Sequence, residues 1–88
     1  MKRGELPSID GLAAFVAAAE HGSFTRAADQ LNLSQGAISR QVRELETRLG
    51  VRLFERIRQR IILTDAGRLY LSQVKKALDD LADATARV

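Results

Sequence analysis

The chain has 88 residues, no cysteine and a net charge of +3. This length is enough for one small domain. Because a domain this short buries only about 60 to 65% of its unfolded surface, we expect it to oligomerise. Without cysteine there is neither a disulfide framework nor a thiolate metal site. No apolar run reaches the ~18 residues that span a membrane, and the residues after Met1 lack the apolar core of a signal peptide, so we predict a soluble, cytoplasmic protein.

The first predicted helix begins with Ser8 as its N-cap and ends at Gly22. Residues 1–7, before this cap, are expected to form a flexible N-terminus. Apolar residues recur along the helix at helical spacing and predict its buried face. These residues are Ile9, Leu12, Phe15, Val16 and Ala19.

A second, short helix, FTRAADQL, is predicted after the cap residue Ser23. Its small residues Ala27 and Ala28 allow another helix to approach closely. A three-residue break follows, in which Ser34 caps a third helix that runs to Gly50. Two helices joined by so short a turn predict a helix-turn-helix.

The third predicted helix has two contrasting faces. At ~100° per residue, a narrow apolar stripe forms on one side, made of Ile38, Val42, Leu45 and Leu49. The opposite side carries small residues and arginines, namely Gly36, Ser39, Arg40, Arg43 and Thr47. This second face is unusual for an ordinary solvated helix because little on it is bulky except arginine.

From Val51 the periodicity changes, and the sequence VRLFERIRQRIIL predicts two short strands, about 52–56 and 60–63. Arg56, Arg58 and Arg60 fall on alternating positions. The intervening IRQR contains no Gly, Asn, Asp or Pro, so turn chemistry alone does not predict a hairpin here.

The last predicted helix begins at the N-cap Thr64, with Asp65 in its first turn, and runs to the chain end. Its apolar residues follow a heptad seam of Leu71, Val74, Leu78, Leu81, Thr85 and Val88. The seam either packs on the chain's own core or forms a dimer. We expect Leu69 and Tyr70 to dock on the body, and the segment from Leu78 to Val88 to extend beyond it.

Residues 34–63 hold seven arginines, no lysine and three glutamates. One interpretation is a solvated face with helical ion pairs such as Glu44 with Arg48. The absence of lysine favours a second interpretation, because arginine is preferred where phosphates or base edges are held bidentately.

Catalysis and metal binding have little support in the sequence. The one histidine, His21, lies beside a helix end and has no predicted nucleophile or orienting acid. Asp79, Asp80 and Asp83 are interpreted as a solvated helix face. We therefore predict no enzyme activity, no metal and no cofactor. Two hypotheses remain for the arginine-rich segment. One is nucleic-acid binding, and the other is a helical interaction module that uses its basic face on an acidic partner. Stoichiometric binding to duplex DNA would distinguish the two.

The run SFTRAADQLNLSQGAISRQVRELETRLGVRLFER, followed by LTDAG, closely resembles the N-terminal DNA-binding domain of LysR-type transcriptional regulators, and the match extends from Leu6 to Val88. The resemblance implies a mainly α fold: a winged helix-turn-helix over residues 8–63 with a two-stranded wing, then a dimerising linker helix over residues 64–88. Family members also carry a C-terminal effector-binding domain, so the chain is expected to be part of a longer regulator and to bind no effector itself.

The resemblance also implies a homodimer on a partly palindromic double-stranded DNA site, with the recognition helix 34–49 in the major groove and the wing 52–63 in the minor groove or on the backbone. Family members commonly have a glycine near Arg58 and an arginine at the position of Gln59. The implied DNA contacts are Ser23, Thr25, Ser34, Gln35, Gly36, Ser39, Arg40, Arg43, Arg56, Arg58, Gln59 and Arg60. The implied dimer contacts are the six residues of the heptad seam.

Overall fold

The computed structural model describes residues 1–58 and 60–88, so the predicted wing contact Gln59 lies outside the described residues. The elements in chain order are a 3₁₀ turn Arg3–Glu5, α1 Ile9–His21, α2 Phe24–Leu31, α3 Gln35–Leu49, β1 Phe54–Ile57, β2 Arg60–Leu63 and α4 Asp65–Ala86. The two strands pair antiparallel. The predicted class, mainly helical with a small two-stranded wing, is confirmed.

The four predicted N-caps are confirmed. In each one a side-chain hydroxyl accepts a hydrogen bond, 3.0 to 3.2 Å long, from the backbone N–H three residues later. The cap residues are Ser8, Ser23, Ser34 and Thr64. This local signal places the starts of all four α-helices, and therefore the turn between α2 and α3, correctly from sequence.

The core is centred on Phe15 of α1, which is fully buried. Its ring lies 5.6 Å from that of Phe54 and 5.7 Å from that of Tyr70, so one side chain joins α1 to the wing and to α4. The apolar stripe predicted for α1 is partly wrong, because Ile9 is 53% exposed while Ala14 and Ala18 are fully buried. Small residues form the contact face here because α2 and α3 both approach α1 closely.

The apolar stripe of α3 is confirmed, with Ile38, Val42 and Leu45 buried. The first strand begins at Phe54, two residues later than predicted. Leu53 is fully buried, and the backbone N–H groups of Leu53 and Phe54 both donate to Oε2 of Glu46, at 2.7 and 3.2 Å. A carboxylate on α3 therefore takes the hydrogen bonds that a longer strand would otherwise supply.

The first half of α4 packs on the body of the domain. Val74 is buried, and Tyr70 and Leu71 are partly buried against the core. The prediction for Tyr70 is confirmed, whereas that for Leu69 is wrong, because Leu69 is 71% exposed. The docking face is formed by residues three and four apart, Gly67, Tyr70, Leu71 and Val74, and this face turns Leu69 outward.

Candidate nucleic-acid interface

The predicted contact face of α3 lies on the surface. Gln35, Gly36, Arg40, Arg43 and Thr47 are exposed, opposite the buried stripe. A Cβ added at Gly36 would meet nothing nearer than the Oγ of its own cap residue, at 3.9 Å. The chain itself therefore gives no steric reason for glycine at this position, and a reason would have to lie in what the helix contacts.

The predicted residues of three different elements line one cleft beside this face. The starts of α2 and α3 form one wall and the wing forms the other. The lining includes Ser23, Thr25, Gln35, Arg56, Arg58 and Arg60. The hydroxyl of Ser23 also caps α2 by accepting from the Arg26 N–H, whereas Thr25 is exposed. The cleft thus joins two helix N-termini, which favour anions, to three arginines.

The wing arginines occupy three different positions. Arg56 is paired with Ile61 and Arg60 with Ile57, so their side chains leave opposite faces of the wing. Arg56 is on the face toward the body of the domain, and Arg60 reaches the cleft from the outer face. Arg58 lies at the tip with a φ of 61°. This left-handed conformation is uncommon for arginine, and it supplies the turn that the sequence IRQR did not predict. In the sequence the three arginines fall on alternating positions, and this spacing alone gave no reason to expect three different environments.

Arg56 makes two contacts that the sequence did not reveal. Its Cζ lies 4.9 Å from the centre of the Phe24 ring, and its Nη2 donates a 3.1 Å hydrogen bond to Oγ of Ser39. The Phe24 ring is itself buried and packs edge-on against Phe54, 5.9 Å away. One guanidinium therefore connects the wing, the start of α2 and the polar face of α3.

The arginines of residues 34–63 are not neutralised by ion pairs. In the part of the chain that the structure describes, ion pairs form only between Arg68 and Asp65 and between Lys75 and Glu20. The helical pair considered for Glu44 with Arg48 does not form; Arg48 instead donates to the backbone oxygen of Glu5 at 3.0 Å. The basic face thus keeps its excess positive charge available to an anionic partner.

The heptad seam of α4 divides in two. Leu71 and Val74 pack on the chain's own core, and Leu78 is half-buried. Beyond them Leu81, Thr85 and Val88 are exposed. The interpretation that the seam packs on the chain's own core holds for Leu71 and Val74. The dimer interpretation stays a prediction for the exposed strip of Leu81, Thr85 and Val88.

Other kinds of site find no support in residues 1–58 and 60–88. They contain no group of three or more His, Cys, Asp or Glu side chains placed to hold a metal ion. His21 shares a 2.6 Å hydrogen bond with Gln30 on the surface. No described helix is both long and apolar enough to cross a membrane.

Two features of this interface were missed from sequence. The Arg56 contact had a partial signal, since Arg56 lies two residues after the buried Phe54 and so shares its face of the strand. The turn conformation of Arg58 had none, because arginine carries no local turn preference.

Residues 9–68 match a family model described as a bacterial regulatory helix-turn-helix protein of the lysR family. Among curated proteins, the glycine cleavage system transcriptional activator of Escherichia coli (strain K12) is 41% identical over 83 residues, which is 94% of this chain and 27% of that protein. The RuBisCO operon transcriptional regulator of Allochromatium vinosum is 52% identical over 61 residues, 69% of this chain and 20% of that protein. The chain thus spans about a quarter of the length of such relatives.

Solved structures give the same family and fold. The chain superposes on the CbnR_DBD-DNA complex with a TM-score of 0.85 and 38% identity, covering 91% of this chain and 92% of that one. The BenM_DBD/catB site 1 DNA complex gives a TM-score of 0.87 and 34% identity, covering 91% and 90%.

Proposed function

Because the chain belongs to the LysR family of bacterial regulatory helix-turn-helix proteins, we propose that it binds double-stranded DNA sequence-specifically, as the DNA-binding part of a transcriptional regulator. The observation that carries the proposal is the exposed polar face of α3, flanked by wing arginines without ion-pair partners. The likeness to DNA complexes of two other domains supports it. We assign the chain no catalytic role, no metal and no cofactor.

We place the N-terminal half of α3 in the major groove. Arg40 and Gln35 are exposed there and match the geometry of guanine and adenine edges, respectively. Ser34 and the exposed N–H groups at the start of α3 suit a phosphate, as do Ser23 and Thr25 at the start of α2. Gly36 lets the backbone approach the DNA closely, which is consistent with its open surroundings within the chain.

Further along the interface, Arg43 lies one helical turn from Ser39 on the same face and suits the DNA backbone. On the wing, Arg58 at the tip and Arg60 on the outer face suit the adjoining minor groove or its phosphates, because arginine is favoured where that groove is narrow. Gln59 is proposed with them on the resemblance alone. The wing therefore adds affinity more than base readout.

A second copy of the chain is proposed as the partner of α4. The exposed strip of Leu81, Thr85 and Val88, continuous with the half-buried Leu78, fits a homodimer that binds a partly palindromic site. We assign residues 8–63 to DNA binding and 64–88 to dimerisation, with Leu71 and Val74 fixing the helix to its own domain. The regulator acts in the bacterial cytoplasm, and its effector binds outside this segment.

The proposal is tested by selecting binding sites from random duplexes and then titrating the selected duplex at several salt concentrations. Each neutralised phosphate contributes about −0.9 to the slope of log affinity against log salt, so several arginine contacts predict a steep line. A palindromic consensus with a steep slope supports the proposal. Failure to enrich any sequence, or a flat slope, contradicts it and favours an interaction module for an acidic protein.

The dimer has its own test. Leu78→Asp with Leu81→Asp places carboxylates on the apolar strip, which is costly if the strip is buried. Sedimentation should show a monomer in place of a dimer, and DNA affinity should fall although α3 is untouched. Leu69→Asp is the matched control because Leu69 is exposed on another face of α4. A double variant that stays dimeric would place the interface elsewhere.

A further inference from the structure

The wing contacts the recognition helix through Arg56 and Ser39, two residues that the resemblance implies as DNA contacts. Ser39 is half-buried on α3, and its Oγ accepts the Arg56 Nη2–H at 3.1 Å. Two hydroxyls of α4 donate back to their own helix: Ser72 to the Leu69 oxygen and Thr85 to the Leu81 oxygen, at 3.0 and 2.8 Å. Within the described residues, Ser39 makes no such bond.

The Phe24 ring, which lies beneath the guanidinium of Arg56, fixes its position. The Cζ of Arg56 lies over the Phe24 ring, 4.9 Å from its centre, and Phe24 is buried and packs against Phe54. A planar guanidinium can stack on an aromatic face and donate in its own plane at the same time, which a lysine ammonium cannot reproduce. The packing of the Phe24 ring in the core therefore fixes the position of the guanidinium that donates to Ser39.

A serine hydroxyl has one proton to donate and two lone pairs to accept with. In Ser39 one lone pair accepts from the Arg56 guanidinium, so the hydroxyl proton remains available for donation. The positive charge of Arg56 disfavours the approach of a second donor, such as the amino group of cytosine or adenine. The same charge strengthens the hydroxyl as a donor toward an acceptor atom.

We infer that Arg56 is a positioning residue that acts on DNA through Ser39, setting the hydroxyl to donate to an acceptor atom of the duplex. That acceptor is a phosphate oxygen or the N7 or O6 of a purine, which share this chemistry. The inference rests on the proposed function and adds to it: Arg56 has a role different from those of Arg58 and Arg60, which lack this contact.

A double-mutant cycle tests the coupling. Affinity for a selected duplex, and for an unrelated duplex of equal length, is measured at one fixed salt for the native chain, Arg56→Lys, Ser39→Ala and the double variant. Arg56→Lys keeps the charge and with it the electrostatic attraction to the duplex, so the expected loss of affinity, about tenfold, is the size of a lost charge-assisted hydrogen bond. In the Ser39→Ala background the same change should cost less than about twofold. Arg48→Lys is the matched control, because its guanidinium also donates a hydrogen bond, to the Glu5 backbone oxygen at 3.0 Å, but it is assigned no DNA contact; it should be nearly silent in both backgrounds.

The result separates the possible roles. A loss on both duplexes identifies a phosphate oxygen as the acceptor, and a loss confined to the selected duplex identifies a purine edge. An equal cost of Arg56→Lys in both backgrounds, or no cost, overturns the inference while leaving DNA binding intact. A native chain that binds no duplex overturns the proposed function and this inference together.

Thermal unfolding of each variant distinguishes a folding defect from a binding defect. Should Arg56→Lys unfold, Arg56→Met, which has no N–H donor but keeps an unbranched side chain beside the Phe24 ring, is used in the same cycle with the same coupling expected. Ser39→Thr keeps the hydroxyl and should restore the sensitivity to Arg56 that Ser39→Ala removes. A structural brace alone would instead lower the thermal stability of the Arg56→Lys and Ser39→Ala variants in parallel with their DNA affinity.

Discussion

Among the glycines, Gly67 in the first turn of α4 has the closest neighbours, and it gives a sharp test of how α4 is joined to the domain. A Cβ built there would lie 2.2 Å from the backbone oxygen of Leu53, 2.9 Å from Cδ2 of Leu63 and 3.1 Å from the Leu53 carbonyl carbon. The nearest atom belongs to the backbone. Gly67→Ala must therefore displace either α4 or the segment that enters the wing by about an ångström.

Two effects of opposite sign determine how much Gly67→Ala changes the free energy of unfolding. Overpacking a close contact costs about 1–3 kcal/mol, and more where backbone must move, whereas replacing glycine by alanine in a helix gains up to about 1 kcal/mol. We expect a net loss of about 2 kcal/mol in the free energy of unfolding. For a domain of this size, 1 kcal/mol corresponds to about 4–8 °C, so Tm should fall by about 8–16 °C.

The assay is thermal and urea unfolding followed by circular dichroism, with Gly36→Ala as the matched control. Gly36 also lies in the first turn of a helix, but its nearest neighbour would be 3.9 Å away, so only the favourable helix term applies and Tm should rise slightly. Equal effects of the two substitutions, or a Gly67→Ala variant as stable as the native chain, would refute the packing described here.

Three further predictions concern the wing and the core. Glu46→Ala removes the carboxylate that accepts from two backbone N–H groups and should cost about 1–3 kcal/mol, with Glu46→Gln costing less, as measured by urea unfolding. Arg58→Gly relieves a left-handed conformation at φ 61° and should stabilise by up to about 1 kcal/mol while weakening binding to unrelated duplex DNA; a destabilised variant would contradict the turn geometry. Burial raises the pKa of the Tyr70 phenol above its ordinary value of 10.0, so the stability that Tyr70 contributes should be present below pH 10 and decline above it, as the unfolded chain ionises first. Tyr70→Phe should remove this component of an alkaline unfolding series, and an unchanged series would contradict the assignment.

Features encoded locally were predictable from the sequence. Ser8, Ser23, Ser34 and Thr64 each cap a helix through a hydrogen bond within four residues, and the apolar stripe of α3 follows from helical period alone. These features place the turn between α2 and α3, and so the orientation of the recognition helix.

Features that depend on contacts between different secondary-structure elements were not predictable. The late start of β1 depends on Glu46, seven residues before Leu53 and on another element. The exposure of Leu69 depends on which turn of α4 meets α1, and heptad spacing does not determine that. The Arg56 contact requires Phe24 and Ser39, which lie on two other helices, to be brought beside one strand.

The central claim, that the N-terminal half of α3 reads base edges, is tested most directly by comparing Arg40→Ala with Thr47→Ala. Both residues are exposed on the polar face of α3, about two turns apart. The measurement is a competition titration of selected against unrelated duplex at one fixed salt, so that the electrostatic contribution cancels. The account predicts that Arg40→Ala lowers the ratio of specific to non-specific affinity by about five- to 150-fold, equivalent to about 1–3 kcal/mol, and that Thr47→Ala leaves it nearly unchanged. An equal loss from Thr47→Ala, or an Arg40→Ala variant that weakens both duplexes alike, would contradict it.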